Sequence, residues 1–136
     1  MSEENVEVAA RVRRGYEAYS RGDFDALMEL IHPEIELIPA GGQPPIRGAA
    51  NYRAWLEPDA FESQVLEPLE IRLNGSKVLV HLSSTIRGAA SGIEAEFLSW
   101  AVLTLDGGPQ EGRARRIEIY LDHEEAQALE AAGLSE

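Results

Sequence analysis

The chain has 136 residues, a net charge of −12 and no cysteine. That is room for one domain with a true core, and it excludes disulfides and thiolate metal sites. The negative charge opposes binding to nucleic acid or to an anionic lipid surface.

The N-terminus is acidic and polar, with neither the basic nor the apolar region of a signal peptide. No apolar run reaches the ~18 residues a membrane span requires. The expected location is the cytoplasm, and the whole chain, 1–136, reads as one domain. Ser2 to Asn5 open a first helix, whose early acidic residues suit the helix dipole. Val8, Val12, Tyr16 and Tyr19 then mark one helical face. Gly22 suits the left-handed position that ends a helix, and Asp23 suits the cap of the next. Phe24, Leu27, Met28 and Ile31 follow helical spacing, so a second short helix is expected over 24–31. Pro33 stops it and turns His32 away from helical geometry.

Ile35 to Ile38 read as a strand. Residues 39–48 form a Pro/Gly-rich loop, and Ala49–Leu56 a third helix presenting Tyr52, Trp55 and Leu56. From there the chain is strands: Val65–Leu73, a hairpin turn at Asn74-Gly75, Lys77–Arg87, Ile93–Leu105 and Arg113–Leu121. Asp122 with Glu125 suggests a capping box for a last helix ending at Gly133. Helices followed by antiparallel strands make an α+β domain.

Strand side chains alternate between faces. Val78, Val80, Leu82, Ser84 and Ile86 share one face, as do Phe97, Ser99, Ala101 and Leu103, and then Ile117, Ile119 and Leu121. This face packs beneath the helices. The opposite face carries Leu98, Trp100, Val102 and Tyr120 beside His81, too apolar for water. A homodimer through these five residues is therefore expected.

Arg21-Gly22-Asp23, His32-Pro33, Ile35-Glu36-Leu37, Ile46-Arg47-Gly48, Ile119-Tyr120-Leu121-Asp122 and Glu130-Ala131-Ala132-Gly133-Leu134 together resemble the SnoaL-like branch of the nuclear transport factor 2-like superfamily. The resemblance spans nearly the whole chain. It implies a cone, a curved antiparallel sheet wrapped around three N-terminal helices with a pocket at the wide end. It also implies dimers through the outer face of the sheet. Members include polyketide cyclases, ketosteroid isomerases and limonene epoxide hydrolases. A steroid isomerase needs a carboxylate base with a tyrosine and a protonated acid as donors. Motif matching puts those positions near Pro39, Gly15 and Ala101 or Ser99, and none keeps its residue type. The carboxylates Glu36, Glu94, Glu96, Glu118 and Asp122 all share the outward parity.

The cone and the strand parity together nominate a pocket for a small apolar molecule. Its walls would come from Leu82, Ser84, Phe97, Ser99, Ala101, Ile119 and Leu121, with Leu37 and Pro39 from the first strand. Tyr16 and Tyr19 would reach it from the first helix and Trp55 from the third. Tyr16 is the one weak catalytic candidate, as a hydrogen-bond donor to a polycyclic ketone in an isomerase or cyclase. Arg47 is expected in a semi-buried ion pair, His32 in a local bond to backbone, and His123 in solvent. Neither a cofactor nor a metal is expected, since the three histidines are scattered without ligand spacing. A third possibility is a dimerisation module whose cone is filled by its own side chains.

Overall fold

The computed structural model describes residues 3–56, 61–88, 91–106 and 112–134. Helix α1 covers Glu3–Arg21. Gly22, at φ +76°, closes it, with Gly22 N–H on Tyr19 O and Asp23 N–H on Ala18 O. The Asp23 carboxylate then accepts from Ala26 N–H at 3.2 Å, capping α2. Helix α2, Phe24–Met28, is shorter than its apolar spacing suggests. Ile31 opens a strand instead of closing the helix. Strand β1 runs Ile31–Ile38, and its pairing slips between Ile31 and Glu36. That irregularity lets Pro33, which has no N–H to give, sit inside a paired strand.

A 3-10 turn at Ala40–Gly42 and a two-residue strand, β2 (Ile46–Arg47), occupy the Pro/Gly-rich loop. Helix α3 is Ala49–Leu56. Four long strands follow: β3 (Phe61–Asn74), β4 (Lys77–Gly88), β5 (Glu94–Asp106) and β6 (Arg113–Leu121). A 3-10 turn, Asp122–Glu124, leads into helix α4, Glu125–Ala131.

The six strands form one curved, unclosed sheet in the order β2-β1-β6-β5-β4-β3. Every pair is antiparallel except β1 with β6, which is parallel. The turn after β3 holds Gly75 and Ser76, with Asn74 still paired to Lys77. The outermost long strand, β3, is blunted by Pro68 and a bulge next to it, and so is a poor template for a stray strand. The Ser20 hydroxyl accepts from Leu66 N–H at 2.9 Å and lies 3.3 Å from Leu66 O, tying α1 to this edge.

The inner face of the sheet holds Val78, Val80, Leu82, Ala101 and Leu103 against Val8 and Val12 of α1. A neighbouring cluster joins Leu27, Ile31, Ile35, Leu37, Tyr52 and Leu56 under α2 and α3. The bulge between Thr104 and Leu105 falls beyond the central rungs, so the alternation from Leu82 to Ala101 survives.

The outer face departs from expectation. Helix α4 lies across it, and Ala128 and Ala132 close over Leu79, Trp100 and Val102. The apolar character that suggested a partner is met for these residues within the chain. Asp122 does not cap the last helix. Its carboxylate faces His81 Nε2 at 3.2 Å and its carbonyl accepts from Trp100 Nε1 at 3.2 Å. Glu124 accepts from Leu121 N–H at 2.8 Å and so closes the start of the 3-10 turn, while α4 itself has no side-chain cap.

The end of α4 contains a test of local geometry. Gly133 has φ +72°, and a Cβ there would lie 2.7 Å from Asn74 Nδ2. That amide donates to Ala132 O and Gly133 O. Gly22 is also left-handed but has open space around it. Left-handed backbone costs a non-glycine residue about 1–2 kcal/mol. Gly133→Ala is therefore expected to lower stability by about 2 kcal/mol and Gly22→Ala by about 1. Urea midpoints of the two variants measure the difference, which vanishes if the Asn74 contact is immaterial.

Candidate functional site

The inner face of the sheet and the three N-terminal helices enclose a cavity of about 250 Å³. The cone is thus not filled by its own side chains. At liquid density the space equals roughly eight water molecules, enough for a compact organic molecule.

Its floor is strand: Leu82 and Ser84 from β4, Ser99 and Ala101 from β5, Ile117 and Ile119 from β6. Leu37 closes one side. Helix α1 contributes Arg11, Gly15, Tyr16 and Tyr19, and α3 contributes Tyr52 and Trp55. Trp55 is 40% exposed and stacks on Tyr52, with ring centroids 6.2 Å apart. It roofs the cavity at the surface.

Of the positions nominated from sequence, Tyr16, Tyr19, Leu37, Trp55, Leu82, Ser84, Ser99, Ala101 and Ile119 lie on this wall. Pro39, Phe97 and Leu121 do not. Pro39 leads into the 3-10 turn away from the cavity. Phe97 and Leu121 have the inward parity, pairing beside Ser84 and Ser99, but they are 52% and 43% exposed. Alternation sets the face of a residue, not its height on a curved sheet.

Three polar wall residues add to those expected from sequence. Tyr52 sits on an apolar helix face that already shows an aromatic pair. Gln64 carries no local signal: its Oε1 accepts from the Tyr19 hydroxyl at 2.5 Å across 45 positions of chain. Arg11 stands one turn before Gly15, and its Nη1 donates to Gly112 O at 3.1 Å.

Burial keeps the wall phenols neutral. It pushes Tyr19 up to about 12 and raises Tyr16 further. Tyr52 is raised by burial first and then by its neighbours Tyr16 and Tyr19. An apolar wall disfavours a phenolate because it cannot solvate the charge. At neutral pH these groups are hydrogen-bond donors and not bases.

The acids lie elsewhere. Glu36 pairs with Arg47 at 2.9 Å and with Arg116 at 3.5 Å. Arg47 is largely exposed, not semi-buried as expected. Glu118 accepts from the Tyr120 hydroxyl at 2.8 Å and meets Arg116. Among the described residues no Asp, Glu or His side chain lines the cavity. His32 Nδ1 accepts from Glu34 N–H at 2.9 Å, a local backbone bond. His81 stacks on Trp100, with centroids 4.0 Å apart and planes 10° from parallel. Among the described residues no three His, Asp or Glu side chains converge to hold a metal ion. No described helix is long and apolar enough to cross a membrane.

A family model described as SnoaL-like domain matches residues 12–114. No curated protein matches the sequence. Among solved structures, a putative polyketide cyclase from Xanthomonas campestris pv. campestris superposes with a TM-score of 0.77 at 18% identity, covering 90% of this chain and 96% of its own. SalBIII, an epoxide hydrolase/cyclase-like enzyme of pyran ring formation in the polyether salinomycin, gives 0.74 at 19% identity, covering 89% and 94%. An epoxide hydrolase of Mycobacterium tuberculosis resembling the LEH type gives 0.71 at 18%, covering 95% and 93%. At such identities the likeness concerns the fold.

Proposed function

The chain belongs to the SnoaL-like domain family, and we propose that it is a binding domain for a small, mostly apolar organic molecule held in the cone. One observation carries the reading: a cavity of about 250 Å³ walled mostly by apolar side chains, with the tyrosines Tyr16, Tyr19 and Tyr52 and the serines Ser84 and Ser99 in its lining. Such a cavity is the usual form of a small-molecule site. The described wall offers no carboxylate or imidazole, so a group that takes and returns a proton near neutral pH is missing from it.

A second reading is an isomerase-like or cyclase-like enzyme acting on a polycyclic ketone. It draws on the buried, neutral Tyr16, which would polarise a carbonyl. It needs a base from outside the described wall.

Part of the first proposal is a cytoplasmic homodimer. Leu98, on the outer face and 41% exposed, offers a second copy the margin that α4 leaves open.

Native mass spectrometry tests the proposal. The protein is expected as a dimer retaining a discrete organic adduct, or binding one from a panel of apolar carbonyl compounds. Ala101 is 2% exposed and faces the cavity, so Ala101→Leu occupies ligand space. This variant is expected to lose at least about tenfold in affinity, equivalent to about 1.4 kcal/mol. Equal binding by wild type and Ala101→Leu would place the ligand outside the cone. Conversion of a bound ketone, lost in Tyr16→Phe, would favour the enzyme.

A further inference from the structure

Resting on the reading of the cone as a binding site, we infer that its ligand is a small organic acid, anchored through its anion by Arg11. Arg11, Gly15 and Tyr19 are spaced four residues apart along α1 and all three line the cavity. They form one lane of the helix. Eight residues at 1.5 Å each separate the two Cα atoms along the helix axis by about 12 Å. Between them Gly15 adds no side chain, and Leu27 and Leu30 close in on it, with Leu30 Cδ1 3.4 Å from where a Cβ would stand. The lane therefore runs from a guanidinium, past an apolar middle, to a neutral phenol whose proton is held by Gln64 and whose oxygen is left to accept.

The charge pattern of the wall selects the ligand class. Arg11 is the one ionisable side chain of fixed charge on the described wall, and no described acid lines it. An ammonium ligand would enter beside a cation, with no carboxylate on the described wall to receive it. A carboxylate meets a planar fork of five N–H donors. One nitrogen of the fork holds Gly112 O, and Arg11 makes a further contact besides. The anion shares the guanidinium with these partners and does not require it to be vacant, since one fork serves several acceptors at once. Charge-assisted bonds of this kind are stronger than neutral ones. The net charge of −12 repels an incoming anion, but salt screens that field over about 8 Å. The guanidinium acts at contact, so it decides the bound state while the net charge slows the approach.

The ligand so defined has an anion at one end, an apolar body, and a hydroxyl at the far end that donates to the Tyr19 oxygen. Isothermal titration calorimetry with 4-hydroxycinnamate, hydrocinnamate and octanoate, each against its primary amide, tests it. At least one acid is expected to bind about tenfold tighter than its amide. Arg11→Gln is expected to erase that preference, weakening the acid about tenfold more than its amide. Arg11→Lys, which restores the charge without the fork, is expected to recover part of it.

Amides that bind as well as their acids would overturn the acid while leaving the binding reading intact. So would a preference that survives Arg11→Gln. If no acid or amide binds at millimolar concentration, both readings fail. If Arg11→Gln weakens acid and amide alike, Arg11 is only a clamp on Gly112 and the inference falls.

Discussion

Ala128→Arg is expected to undock α4 and cost about 3 kcal/mol of stability. Ala128 is 0% exposed and packs with Ala132 over Leu79, Trp100 and Val102. A methyl group fits that contact, and a guanidinium does not. Keeping α4 in place would bury an unpaired charge, so release of the helix is the cheaper outcome. Release returns three large apolar side chains to water. For a domain of this size the thermal midpoint should fall by roughly 10 °C.

Fluorescence reports the event directly. The chain has two tryptophans, so Trp55→Phe leaves Trp100 as the single reporter. Its emission should shift to the red in the double variant, as the indole loses both its cover and its bond to Asp122 O. Ala126, exposed on the same helix, supplies the control. Ala126→Arg should stay within about 0.5 kcal/mol of the parent. Equal behaviour of the two arginine variants would mean that α4 contributes nothing to the cover of the outer face.

The second large effect is alkaline. All four tyrosines of the chain have phenols raised above the ordinary value near 10. For Tyr120 the causes are burial first and then its bond to Glu118, but it is too exposed to weigh in stability. A folded-state pKa above the unfolded one favours the native state while the phenol is neutral. The benefit is whole below pH 10 and is lost as pH rises toward the folded-state values. In that window the unfolded chain has released protons that the folded chain still holds.

Each such phenol tilts the balance by about 1.4 kcal/mol per pH unit, and Tyr16, Tyr19 and Tyr52 together by about 4. A margin of about 5–15 kcal/mol does not outlast that slope for long. The native protein should show little phenolate absorbance at pH 10 and then unfold and ionise together near pH 11–12. Tyr52→Phe should make the loss of stability with pH shallower. Smooth titration of all four phenols around pH 10 in folded protein would mean that the cavity is wet and the wall does not desolvate them.

Much of this architecture is legible in the chain's local chemistry. Gly22 and Asp23 punctuate α1 and α2 because a left-handed turn and a short side-chain acceptor are local requirements. Ala49–Leu56 is a helix between a glycine that starts it and a proline beyond its end. The alternation in β4 and β5 separates the inner from the outer face, and with it assigns Leu82, Ser84, Ser99 and Ala101 to the cavity wall. All of these signals act within a few residues of chain, where composition and spacing reflect energy directly.

Other features are decided at long range. The spacing of Ile31 suits a helix as well as a strand, and the choice falls to its place beside Ala114 of β6. The destination of α4 is invisible locally, because an amphipathic helix does not announce which apolar face it will cover. That contact turns Trp100 and Val102 from open surface into core. The same holds for the two polar ends of the cavity: Tyr19 finds Gln64 across 45 positions and Arg11 finds Gly112 across 101. Residue order alone is enough for most of the elements, their faces and the apolar, acid-free character of the described inner wall. Which donors meet across the cone, and which surface the tail helix covers, depends on folding. Those contacts join segments that approach one another only when the whole sheet has curved around the helices.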